Sequence, residues 1–150
     1  MVKMLGMAVL GILMALGRPA RAADEAQMAA NKAAVVAFYQ AALNDKDFDK
    51  AQQYLGARYT QHNPTAEDGP EGLRKFIGFL KSKFPMSHND IRQVFVDGDY
   101  VVLHVLAVRE PTGKGRAIVD IFKLDGGKIV EHWDVIQEVP DTAANPNGMF

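Results

Sequence analysis

Two polar side chains interrupt otherwise apolar segments. Asp120 lies within Ala117-Ile118-Val119-Asp120-Ile121-Phe122, and His104 within Val101-Val102-Leu103-His104-Val105-Leu106. A carboxyl group flanked in this way belongs on the wall of a pocket, where desolvation raises its pKa towards neutrality. Removal of a proton next to a carbonyl needs a base of that kind. The alternative is a structural carboxylate, held by backbone N–H groups or paired with Arg109 or Arg116. His104 reads either as the acid or orienting partner of Asp120 or as a core histidine satisfied by a backbone carbonyl. A five-residue turn over Pro111–Gly115 would set His104 directly opposite Asp120, and a shift of one residue would put them on opposite faces.

Other candidates surround this pair. A two-residue Gly126-Gly127 loop sets Trp133 opposite Asp120, as a wall keeping the carboxyl group dry or as plain core packing. On that register His132 and Asp134 fall on the other face, as a surface pair or a partner contact. His62 and Asn63 sit in a Pro-bounded segment, where polar residues on a rigid scaffold reach ligands; Asn-Pro also simply forms turns. Tyr39 could point its hydroxyl into the pocket as an oxyanion donor, or be core. No two histidines have tight ligand spacing, so no metal is expected.

These residues need an architecture. Residues 24–43 carry Val35, Phe38, Tyr39, Ala42 and Leu43 at helical spacing. A short second helix follows the capping residue Asp47. A third opens at Asp68-Gly69-Pro70, with Pro70 where its missing N–H costs nothing, and Pro85 ends it. Residues 59–64 read as irregular. Ile91–Val96, Tyr100–Arg109, Arg116–Leu124 and Ile129–Glu138 are strand-like, joined by Gly- and Asp-containing turns as an antiparallel meander. The tail from Val139 to Phe150 is irregular. The order is α+β: a cone-shaped fold with three N-terminal helices packed on a curved, mainly antiparallel sheet, whose hollow is a ligand site.

The first residues are of another kind. Lys3 precedes an uncharged apolar run to Leu16, and Ala20-Arg21-Ala22 offers a cleavage pattern, so residues 1–22 read as a signal peptide and 23–150 as the domain. The run is too short to span a bilayer, leaving no membrane span in the mature form. The expected location is periplasmic or secreted. The chain has 17 basic and 18 acidic residues and no cysteine. Removing Lys3, Arg18 and Arg21 leaves 14 basic residues and a formal charge of −4. Such a surface argues against a nucleic-acid partner, and the fold stands without disulfides.

Several segments together carry a family resemblance: Phe38-Tyr39-Gln40, Tyr59-x-Gln61-His62-Asn63-Pro64, Asp68-Gly69-Pro70-Glu71-Gly72-Leu73, Val119-Asp120-Ile121-Phe122-Lys123 and Gly127-Lys128-Ile129-Val130-Glu131-His132-Trp133-Asp134. From about Asn31 to Phe150 the chain resembles the SnoaL-like branch of the nuclear transport factor two-like superfamily, named for a polyketide cyclase that closes a ring by intramolecular aldol condensation. The resemblance implies the cone fold, frequent homodimers, no metal or other cofactor, and acid/base chemistry by an aspartate at the position of Asp120. It also implies a histidine near the strand of His104, and a cavity lined by the segment of His62 and Asn63. The expected ligand is a small apolar carbonyl compound, turned over by aldol condensation, cyclisation or isomerisation. A non-catalytic binding module and a dimeric assembly module are the rival readings.

Overall fold

The computed structural model describes residues 17–150; the apolar run of the expected leader lies outside them. Helix α1 spans Gly17–Tyr39 and passes into a π-helical turn at Gln40–Asn44. Its Val35, Phe38 and Tyr39, with Ala42 of the turn, are buried at the spacing of one helical face. The expected second helix is a single turn, α2 at Phe48–Ala51, capped by the Asp47 side chain accepting from Lys50 N–H. A 3-10 turn follows at Gln52–Tyr54. Helix α3 spans Gly69–Lys83 with Pro70 in its first turn, and buries Leu73, Ile77 and Leu80.

Five strands form one sheet: β1 Leu55–Gln61, β2 His88–Asp97, β3 Tyr100–Val108, β4 Arg116–Asp125 and β5 Lys128–Glu138, in spatial order β1-β5-β4-β3-β2. The four expected strands form the antiparallel meander. Strand β1 corrects the irregular reading of residues 59–61: it lies parallel to β5, with Gln61 beside His132. The sheet's inner rows carry Val101, Leu103, Val105, Phe122, Leu124 and Ile129, all essentially sealed from solvent against α1 and α3. Phe122 meets Phe38 and Tyr39 edge-on, at ring-centroid distances of 5.8 and 6.4 Å. The result is an α+β cone with helices across the concave face of an open sheet.

Both expected registers around Asp120 are displaced by one residue. Between β3 and β4 the pairing is Leu103 with Asp120 and His104 with Val119. The ladder closes at Ala107 and Arg116, so a longer connection than the Pro111–Gly115 turn sets the parity. Between β4 and β5 the pairs next to the turn are those expected, Asp125 with Lys128 and Leu124 with Ile129. Lys123 then pairs with Glu131, so Val130 is an extra residue, a β-bulge. Beyond it Phe122 faces His132, Ile121 faces Trp133 and Asp120 faces Asp134.

Candidate active site

The bulge at Val130 decides which side chains of β5 join Asp120. It turns His132 and Asp134 inward and Trp133 outward, reversing the sequence expectation for all three. Strand β1 alternates in step beside β5. Gln61 and Asn63 thus reach the cavity, while His62 points to the outer face and stacks on Trp133 at 4.4 Å between ring centroids. His62 also contacts Glu131 at 3.2 Å. His104 is likewise on the outer face, stacked on Phe150 of the tail at 5.2 Å. Of the six predicted site residues, then, the structure gathers Asp120, Tyr39 and Asn63 in one cavity. His104, His62 and Trp133 lie outside it.

Asp120 is 4 % exposed and is no unpaired acid. The Tyr39 hydroxyl, at the end of α1, donates to its Oδ2 at 2.9 Å. His132 Nε2 lies 2.9 Å from its Oδ1. Neither arginine weighed as a structural partner, Arg109 or Arg116, pairs with it. The other ring nitrogen of His132, Nδ1, lies 3.0 Å from Gln61 Oε1. That oxygen also accepts from Asn63 N–H at 2.9 Å. An atom accepting from a backbone N–H must be the amide oxygen, so His132 Nδ1 carries a proton and donates it. The neutral imidazole then presents a bare Nε2 to Asp120. One further proton must occupy the Asp120–His132 contact, as carboxylic acid with imidazole or as carboxylate with imidazolium. The pair therefore holds one movable proton.

The rest of the site fixes this arrangement. Burial, then the Asp120 charge and hydrogen bond, pushes the Tyr39 phenol well above its ordinary range, so it stays a donor. Tyr59, on the buried side of β1, is raised for the same leading reason. Asn63 donates through Nδ2 to both oxygens of Asp134, at 2.8 and 2.7 Å. Its own Oδ1 accepts from Thr65 N–H and Oγ1, which fixes the amide's orientation. The cavity has a volume of about 180 Å³. An apolar cavity of about 150 Å³ takes up benzene, so this one has room for a single ring with short substituents.

The potential ligand atoms of Asp120, His132 and Asp134 lie within 4.8 Å of one another, a donor set that could take a divalent cation. Three of those four carboxylate oxygens accept from an O–H or N–H donor, and the fourth, Asp120 Oδ1, shares a proton with His132 Nε2. The geometry therefore fits shared protons better than an added charge of +2.

The sequence reading missed His132, Asp134 and Gln61. The signal available was alternation: Gln61-x-Asn63 and His132-x-Asp134 each put two polar groups on one strand face.

The SnoaL-like domain family matches residues 35–132. Among solved structures the chain is similar to TsrD from Streptomyces laurentii, at 24% identity and TM-score 0.61, covering 72% of this chain and 88% of that one. A candidate polyketide cyclase from Acidithiobacillus ferrooxidans aligns at 19% identity and TM-score 0.60, over 71% and 87% of the two chains. An NTF2-like protein of unknown function from Cytophaga hutchinsonii aligns at 21% and 0.60, over 71% and 89%. These likenesses show the fold. None of the curated proteins compared matches the sequence.

Proposed function

The chain belongs to the SnoaL-like domain family, and on that basis we propose that it is a cofactor-free acid/base enzyme acting on a small carbonyl compound by aldol condensation, cyclisation or isomerisation. One observation carries the reading: a buried Tyr39–Asp120–His132–Gln61 hydrogen-bond chain, holding one movable proton, opens on a cavity whose middle is apolar. In the ion-pair form Asp120 takes the proton from the carbon next to the substrate carbonyl, and imidazolium His132 protonates the developing oxyanion. The products are an enol and the other form of the pair, carboxylic acid with neutral imidazole. Moving one proton across the 2.9 Å contact resets it. Tyr39, bonded to Asp120, positions the base, and Asp134 held by Asn63 forms the facing wall.

The test is exchange of α-hydrogens for deuterium in a panel of small one-ring ketones such as acetophenone and cyclohexanone, followed by NMR. Exchange reports proton abstraction without knowledge of the product. The wild type should exceed buffer exchange, and Asp120→Asn should lose about 10²–10⁴ of that rate, the usual range for a positioned acid/base. Exchange that survives in Asp120→Asn would end the proposal, as would none above buffer in the wild type.

Two further readings accompany this one. The outer face of the sheet leaves Phe95 58 % and Val135 68 % exposed, beside Val119 and the His62–Trp133 stack. Such a face supports a homodimer formed by two sheets back to back. Equilibrium sedimentation of the wild type and Val135→Asp tests it, with dimer expected for the first and monomer for the second. The leader-like residues 1–22 support export to the periplasm or medium, with a mature chain starting near Ala23; its N-terminal sequence after expression with the full leader is the check. Helix α1 begins at Gly17 and so runs through that point.

A further inference from the structure

The end of the cavity away from Asp120 is cationic and incompletely satisfied. Arg109 and Arg116 both line it. Among the described residues the Arg109 guanidinium has no hydrogen bond or ion pair. It rests over the Phe84 ring at 5.1 Å and near that of Phe79 at 6.0 Å. Arg116 is mostly buried and meets only Glu138, an exposed carboxylate, at 3.6 Å, beyond hydrogen-bond distance. Burial, and then the Arg116 charge, disfavours the Arg109 cation, so two guanidinium groups share this end with little compensation. Ser87 lines the same cavity, is 7 % exposed, and its hydroxyl has no partner at all. An orphaned buried hydroxyl costs free energy unless something bonds to it.

Strand register brings these groups together. His88 pairs with Val108, and continuing that ladder by one residue sets Ser87 beside Arg109. Ala107 pairs with Arg116, which sets Arg116 diagonally across from Arg109. Asp120 is four residues along β4 from Arg116, about 13 Å at the rise of an extended strand. Between the two ends the wall is apolar, with Ile118 and Leu80. The cavity therefore offers a proton-transfer group at one end, an apolar middle and three unsatisfied donors at the other.

Resting on the acid/base reading above, we propose that the substrate is a one-ring keto acid: its carbonyl lies at Asp120 and His132, and its carboxylate is held by Arg109 and Arg116 with the Ser87 hydroxyl as third donor. A carboxylate matches the planar fork of an arginine in two parallel hydrogen bonds, and its charge compensates the pair. The substrate is thus amphipathic rather than wholly apolar.

Calorimetric titration with 4-acetylbenzoate and with its methyl ester tests this, since both place the ring between the ketone and the acid group and the two differ only in the charged end. The wild type should bind the acid about tenfold or more tightly than the ester. The double variant Arg109→Gln/Arg116→Gln should lose that preference while its affinity for the ester is unchanged, which also shows that it is folded. Asp120→Asn should keep the preference, so failure of the catalytic reading and failure of this one are read separately. Equal affinities for acid and ester, a preference that survives in the double variant, or binding of neither compound overturns the proposal.

Discussion

Replacing Asp120 by asparagine and by alanine separates a shared proton from a buried charge. In Asp120→Asn the amide can satisfy both neighbours: Oδ1 accepts from Tyr39, and Nδ2 donates to the bare Nε2 of neutral His132, whose Nδ1 already donates to Gln61. No buried group loses its partner, so the expected cost is within about 1 kcal/mol. Asp120→Ala strands a buried hydroxyl donor and a buried ring nitrogen. At about 1–3 kcal/mol for each unsatisfied group, the loss is about 2–6 kcal/mol, a large part of a typical domain's stability of about 5–15 kcal/mol. Urea unfolding at pH 7, followed by circular dichroism, should place the asparagine midpoint near wild type and the alanine midpoint far below. Equal loss in both variants would refute the reasoning, because it would mean that the carboxylate charge itself is required. Equal retention would mean that Tyr39 and His132 do not depend on Asp120.

Other outcomes follow from the same geometry. Tyr59 keeps its proton in the folded chain at pH values where the unfolded chain has lost it; stability is therefore full below about pH 10 and falls above it, by up to about 1.4 kcal/mol per pH unit for this residue. Tyr59→Phe should flatten that alkaline limb in urea midpoints measured from pH 9 to 11, and an unchanged slope counts against the assignment. A Cβ at Gly56 would lie 2.8 Å from Val130 Cγ1, so Gly56→Ala should cost about 1–3 kcal/mol, and Val130→Ala in the same chain should recover part of it; additive costs would show that the two do not meet. His104→Ala should leave α-hydrogen exchange at the wild-type rate, since its ring lies on the outer face against Phe150; a loss of a factor of ten or more would return it to the site.

Most of the fold was legible because its signals are local. Helical spacing over Val35–Leu43 and Leu73–Leu80, Pro70 and Pro85 as boundaries, and Gly-containing turns between β-branched runs each act within a few residues. Strand β1 was not legible: its partner β5 lies some 70 positions away, and the polar residues ending at Pro64 resemble a turn. Asp120 was found because a carboxyl group stands out in an apolar strand whichever way that strand faces. Its partners were not, because the outer face of this sheet is apolar too, with Val119, Ile121, Trp133 and Val135. Register is strongly specified only where one face is polar; here alternation could not tell inside from outside, and one residue of parity moved every neighbour.

What settles that parity lies at the edge of the site. Without the bulge, Phe122 would face Glu131 and Asp120 would face Trp133. A carboxylate would then sit in the core beside Phe122, at a cost of several kcal/mol for an unpaired buried charge. Setting Val130 aside frees Glu131 to meet Lys123 at 3.0 Å and His62 at 3.2 Å on the outer face. The bulged valine needs room, and the neighbouring strand supplies it at Gly56, where even a methyl group would collide. The ion pairs of Glu131 and the missing side chain of Gly56 thus hold one register, and that register delivers His132 to Asp120. The pocket's chemistry is fixed by residues that take no part in it.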